Sequence, residues 1–198
     1  MHATNTTAAG AGGKPGRADV ERLLARARMG DAMARGELLS RFYSELHGHA
    51  SHCMRGQPKN HTVQATALLH EAVLRLENSS AADWSDEQHF IRVAIKAMRR
   101  ILVDHARDKA RLKRSPEGAA VPLDSLMLPY ERQGWDLLVL DEALDALEKR
   151  DPRMCRAVEM RFFGGLGAAD VARLLGMPQS TFGAEWSYTL AWLRKRIA

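Results

Sequence analysis

Nine Lys or Arg side chains fall within residues 92–114 against two Asp, Asp104 and Asp108, a net charge of +7. Arg92, Lys96, Arg99, Arg100, Arg107, Lys109, Arg111, Lys113 and Arg114 make a row that can track a phosphate backbone, drawing affinity from counterion release and losing it as salt rises. The same row also suits a solvated helix face, since long helices carry excess Arg and Lys without binding anything. Residues 117–151 have the opposite sign, with nine acids and three bases, net −6. One segment attracts polyanions and its successor repels them.

A second candidate for nucleic-acid chemistry lies at 168–196, which reads as two helices around a Gly176-Met177-Pro178 corner. Glycine accepts the left-handed backbone just past a helix terminus, and proline suits the first turn of the next helix. Gln179, Ser180, Thr181 and Ser187 are candidate base readers or phosphate contacts, helped by free backbone N–H groups at the helix start. Yet residues 179–193 contain no Lys or Arg. A small helical subdomain without any nucleic-acid role has the same pattern.

Other chemistry finds little footing. His49, His52 and Cys53 can share a helical face with His47 nearby, but no second ligand cluster has zinc-site spacing, so no metal is expected. His70-Glu71 is followed by Leu74 where a metalloprotease helix needs histidine. There is no Walker loop, dinucleotide glycine fingerprint or nucleophile elbow, and neither an enzyme nor a cofactor is expected.

The elements that must position these residues are helices. Apolar residues recur at helical spacing over 20–29, from 32, from about 66, over 87–111, from 152 to the Gly164-Gly165 break, over 168–175 and over 179–196. No strand-like alternation stands out, so the expected fold is all-α. Glycine and proline gather at 9–16 and 116–129, dividing the chain of 198 residues into two small helical parts rather than one core. Residues 1–18 are rich in Ala, Gly and Thr and read as a disordered tail. With no apolar run near the ~20 residues that span a bilayer, and two cysteines in different parts of the chain, a reduced protein of the cytoplasm with no membrane association is expected. Absence of a heptad seam makes a monomer the default.

Several motifs in order narrow the reading. They are residues 66–76 (TALLHEAVLRL), residues 89–107 ending MRRILVDHAR, 121–124 (VPLD), 141–144 (DEAL), 151–153 (DPR) and 159–166 (EMRFFGGL). Together they resemble bacterial RNA polymerase sigma factors of the extracytoplasmic-function (ECF) family over residues 19–197. The resemblance implies a sigma region 2-like domain at 19–112, an acidic linker at 113–135 and a sigma region 4-like helix-turn-helix domain at 136–198. It further implies that Leu69, Glu71, Leu74 and Arg75 dock on the clamp of the polymerase β′ subunit, and that the carboxy-terminal domain meets the flap of the β subunit. The basic row would hold the minus-ten element, with Trp84 in the region that captures an unstacked base, although Trp84 reads equally well as a core residue. Glu71 and Arg75, four apart, equally suit a plain surface pair.

Within this resemblance the second helix of the helix-turn-helix reads the minus-thirty-five element through Gln179, Ser180, Thr181, Gly183, Ala184 and Ser187. Gly183 and Ala184 stand where the family commonly carries bases, and Pro178 where it commonly carries Ser, while Trp186 and residues 191–193 match. Each missing phosphate contact weakens binding and flattens its salt dependence. The implied function is promoter recognition and transcription initiation with core RNA polymerase and promoter DNA as partners, with room for an anti-sigma factor. The alternatives are a free-standing helix-turn-helix regulator and a sigma-like interaction protein with impaired upstream reading.

Overall fold

Every element among the described residues is a helix. The computed structural model describes residues 16–54, 61–77, 84–113 and 136–197, with only the backbone described at 61–63, 109, 110, 112 and 113. The expected tail up to residue 15, the loop at 78–83, Arg114 and the linker motif at 121–124 lie outside the described residues. In order, the elements are α1 (Arg17–Arg28), α2 (Ala32–Cys53), α3 (His61–Glu77), α4 (Glu87–Lys113), α5 (Leu137–Arg150), α6 (Pro152–Phe162), α7 (Ala168–Leu174) and α8 (Gln179–Ile197). The chain is all-α, as its periodicity predicts. None of these helices is long and apolar enough to cross a membrane.

Aspartates start four of the helices. The carboxylates of Asp31, Asp86, Asp136 and Asp151 accept the N–H groups of Ala34 at 3.1 Å, His89 at 2.7 Å, Leu138 at 2.7 Å and Met154 at 3.0 Å. Each satisfies an N–H that the first helical turn leaves without a partner. Burial pulls the Asp86 carboxyl upward, but the hydrogen bonds from His89 and Ser85 win and hold it below its ordinary range.

Two boundaries differ from the sequence expectation. α1 begins at Arg17, inside the stretch read as tail, and α3 begins at His61 rather than near Thr66. At the helix-turn-helix corner Gly176 has φ +65°, the left-handed conformation for which glycine was expected. Pro178 lies just before α8, and its carbonyl accepts the first helical bond, from the Phe182 N–H at 2.9 Å.

α4 is the element on which the two halves meet. α1, α2 and α3 pack together and against α4, while α5 and α6 cover it from another side; α5 and α6 pair, and α8 closes on α5 and α7. The apolar stripe expected on α4 is buried at Phe90, Ala94, Met98, Ile101 and Leu102, and so are Ile91, Ile95 and Val103. A helix clasped on two sides buries more than one stripe.

The larger buried cluster therefore runs from Leu24 on α1 through Ile101 on α4 to Leu144 on α5 and Leu193 on α8. A smaller one joins Met154, Met160, Val171, Met177 and Phe182 within the helix-turn-helix part. There are two clusters, but the line between them falls inside the carboxy-terminal half. Trp84 belongs to the larger one: it is 1% exposed, edge-on to Phe90 at 4.9 Å, and Phe90 meets Phe42 at 5.3 Å. Trp84 is thus a core residue here, and a base has no access to its ring. Phe90→Ala removes the middle of this aromatic chain and is expected to cost about 3–5 kcal/mol in urea denaturation; a loss below about 1 kcal/mol would show that the chain is not a packing centre.

Candidate nucleic-acid interface

The basic row on α4 does not stand free. Arg99, only 3% exposed, sends Nη1 to Glu159 Oε1 on α6 at 2.7 Å, and Nη2 to Asp141 Oδ1 on α5 at 2.5 Å. The same Nη2 lies 3.1 Å from the Asp141 carbonyl and 3.2 Å from Asp145 Oδ1. Burial alone would lower the Arg99 pKa, but the carboxylates of Glu159 and Asp141 hold it above the ordinary value. Arg107 reaches the second oxygen of Asp141 at 3.0 Å, and Lys96 reaches Glu148 on α5 at 2.6 Å. The Lys96 hydrogen bond holds the Glu148 carboxyl below its ordinary range.

Acids of α5 and α6 thus neutralise the middle of the row. Arg99 is enclosed between helices and touches no solvent that a phosphate could occupy, which corrects its expected role as an open DNA contact. Arg92 is half-buried, and burial lowers its pKa. Arg100 and Arg111 remain exposed, Arg111 only 3.7 Å from Asp108. Lys109 and Lys113 lie further along α4, with side chains outside the described set, and Arg114 lies outside the described residues altogether.

α3 divides the four residues expected to meet polymerase. Leu69 is fully buried beside Leu68, Ala72 and Leu76, so it belongs to the bundle and offers nothing to a partner. Leu74 is 56% exposed, the kind of surface a partner can cover. Glu71 and Arg75 pair at 3.1 Å, and Arg75 also reaches Asp104 on α4 at 2.9 Å, so the pair is part of a surface network between the two helices.

On α8, Gln179, Ser180, Thr181, Gly183, Ala184 and Ser187 are all exposed. The Ser187 hydroxyl donates to the Gly183 carbonyl at 3.0 Å, so its proton is committed to its own helix. Nothing lies within 4 Å of a Cβ built on Gly183, so packing does not require glycine there. The inner face holds Phe182, Leu193 and, unforeseen, Thr189, with Trp186 stacked on Phe182 at 5.8 Å. Bases approach this helix through aromatic rings: Arg161 lies over Trp186 at 4.8 Å, and Arg150 sits near both Tyr188 and Trp192. Arg194, Lys195 and Arg196 close its last turn.

His49 and Cys53, weighed as metal ligands, instead meet the carboxy-terminal half. His49 Nδ1 donates to the Gly164 carbonyl at 2.6 Å, and the Cys53 thiol to the Phe163 carbonyl at 3.1 Å. Burial pushes the Cys53 thiol up to about 12. Among the described residues no three His, Cys, Asp or Glu side chains form a metal-holding group.

The acids that sequence reasoning missed as partners are Asp141, Asp145, Glu148 and Glu159. For Asp141, Asp145 and Glu148 the signal is the sign reversal between residues 92–114 and 117–151; Glu159 lies beyond that run and had none. The two runs attract each other.

The family model described as "ECF sigma factor" matches residues 17–198. Neither a curated protein nor a solved structure matches the chain.

Three substitutions check the geometry. Arg99→Ala leaves buried carboxylates without their counter-charge and is expected to cost about 3–5 kcal/mol in urea denaturation, whereas Arg100→Ala stays within about 0.5 kcal/mol. Equal losses would contradict the burial difference. Gly183→Ala fills open space on a helix and is expected to stabilise it by up to about 1 kcal/mol, read as a rise in melting temperature; a fall would mean that the glycine has a packing role.

Proposed function

We propose that this chain, which belongs to the ECF sigma factor family, binds core RNA polymerase and places it on promoters, catalysing no bond change itself. The observation that carries the proposal is the extent of the family match, which runs from residue 17 to residue 198 and so takes in both helical halves. A free-standing helix-turn-helix regulator would need only the carboxy-terminal one. Within this reading residues 19–112 form the domain for polymerase and the minus-ten element, 113–135 the linker, and 136–198 the domain for the minus-thirty-five element. Promoter opening and polymerase both belong to the cytoplasm, and the free thiols of Cys53 and Cys155 suit a reducing compartment.

The polymerase contact we assign to Leu74 with the Glu71–Arg75 pair beside it, on the exposed side of α3. The minus-ten surface we assign to Arg92, Lys96, Arg100, Arg107 and the bases that continue along α4, because a helix carrying several cations on adjoining turns matches successive phosphates. The upstream contact falls to Gln179, Ser180 and Thr181 at the α8 start, where backbone N–H groups can bind a phosphate. Gly183 and Ala184 add no charge, so the upstream element is held more weakly than the downstream one.

Transcription from a genomic DNA library with purified core polymerase tests the reading. Start sites that depend on the added protein are expected; binding to core without any start site would favour a sigma-like interaction protein, and no binding to core would leave a DNA-binding regulator. With a promoter identified, Arg100→Glu is expected to lower run-off transcription by roughly tenfold or more, because it both removes a phosphate contact and adds repulsion. Ala184→Glu should lower it less, and the opposite order would place the main DNA contact on α8.

A further inference from the structure

We propose that the later turns of α8, together with the end of α5, form a docking surface for an acidic segment of a partner protein. This goes beyond the promoter reading, which uses the start of α8. Tyr188, Trp192 and Arg196 stand one turn apart on one face of α8, and Arg150 from the end of α5 joins them. The Arg150 guanidinium carbon lies 5.9 Å from the centre of the Tyr188 ring and 5.7 Å from that of Trp192, and the Arg196 carbon lies 5.6 Å from Trp192. Arg150 Nη2 also donates to the Tyr188 hydroxyl at 2.8 Å.

These two arginines are held differently from Arg99. An aromatic face attracts a guanidinium and fixes its plane, but it leaves the charge in place and the N–H edge unpaired. Lys149, Arg194 and Lys195 stand beside them, and all five bases are exposed. Among the described residues none of the five takes part in an ion pair, whereas Arg153 nearby spends its charge on Glu185 at 2.9 Å. Residues 188–197 contain no acid. Cations oriented by rings, with no anion of the chain's own, are complementary to carboxylates supplied from outside, which a guanidinium edge takes as a two-point fork.

Two features make the occupant a protein rather than a nucleic acid. A helix rises about 1.5 Å per residue, so Trp192 stands about 20 Å along the axis from Gln179. The major groove is only about 8.5 Å deep, so a helix that reads DNA through Gln179, Ser180 and Thr181 carries its last turns outside it. Base stacking, for its part, needs a free aromatic face, and two guanidinium groups already approach the Trp192 ring. Tyr188, 63% exposed, and Trp192 instead offer apolar area beside the cations, the mixture of Tyr, Trp and Arg that carries binding energy in protein interfaces. The segment that fits presents two carboxylates with an apolar side chain beside them.

A fluorescein-labelled peptide of repeated Glu-Glu-Leu is the probe, with a single-stranded thymidine oligonucleotide of equal charge beside it. Binding to the full chain is read by anisotropy, without polymerase or promoter. Arg150→Gln with Arg196→Gln is expected to weaken the peptide about tenfold, and Trp192→Leu, which changes no charge, several-fold. Arg22→Gln with Arg28→Gln removes as much charge from α1 and should change binding by less than about twofold. Carbodiimide coupling of the peptide carboxylates to the native chain should mark Lys149 and Lys195. Equal losses in the two charge variants would reduce the effect to net charge and overturn the proposal. So would a peptide that fails to bind, a Trp192→Leu chain that binds as the native one does, or coupling confined to the lysines of α4. An oligonucleotide that binds more tightly than the peptide, and weakens in the same variants, would make the surface a nucleic-acid site and overturn it as well. Run-off transcription by the native chain with core polymerase stands apart: its absence would sink the sigma reading and leave the peptide result standing.

Discussion

A guanidinium that leaves water must find its counter-charges in the same place, and Arg99 finds them on two helices at once. Because it is 3% exposed, its position fixes Asp141 on α5 and Glu159 on α6 within hydrogen-bond reach of one point on α4. Hydrophobic burial is the less directional term, and Leu140, Ala143, Leu144 and Leu147 supply it on the buried face of α5. The fork of Arg99 does not allow sliding, because a displacement of one turn strands a buried cation and two carboxylates. Register between the two halves is therefore set by charge, and cohesion by the apolar cluster that surrounds it.

The same economy explains how α4 can carry so many bases and still lie inside the molecule. Its apolar residues face two directions: Phe90 meets Phe42 of α2, and Ile95 lies beside Gly164 at the end of α6. Cations flank the second direction, where an uncharged partner helix would leave them poorly solvated. An acidic partner removes the penalty. Glu148 takes Lys96 and Asp141 takes Arg107 at the margins, where solvent screening makes each pair worth little by itself. Their effect is on where α5 rests, more than on how tightly.

Much of this was legible before any coordinates. Asp31 and Asp151 announce helix starts, Gly176 announces the corner, and the 3.6-residue spacing of Leu38, Phe42 and Leu46 identifies a buried face that the structure keeps. What stayed hidden has one cause. Periodicity tells which side of a helix is apolar, but says nothing of a second partner that covers its polar side, so Arg99, Ile95 and Val103 read as outward or neutral. The resemblance gives Leu69 and Trp84 outward roles, with Trp84 reading equally well as core, and the bundle buries both. The charge reversal between the two halves was visible but ambiguous, because sequence gives signs without distances.

α8 shows what the pairing leaves to the rest of the molecule. Its outer face keeps Gln179, Ser180 and Thr181 at the start and no cation until Arg194, while its inner face is held by Phe182, Trp186 and Leu193. A helix so built folds well and contributes little long-range attraction to DNA, because phosphate contacts set affinity whereas polar readers set discrimination. In the proposed factor attraction therefore resides on α4, where Arg100 and Arg111 stay exposed while Lys96 and Arg107 are paired with acids of α5.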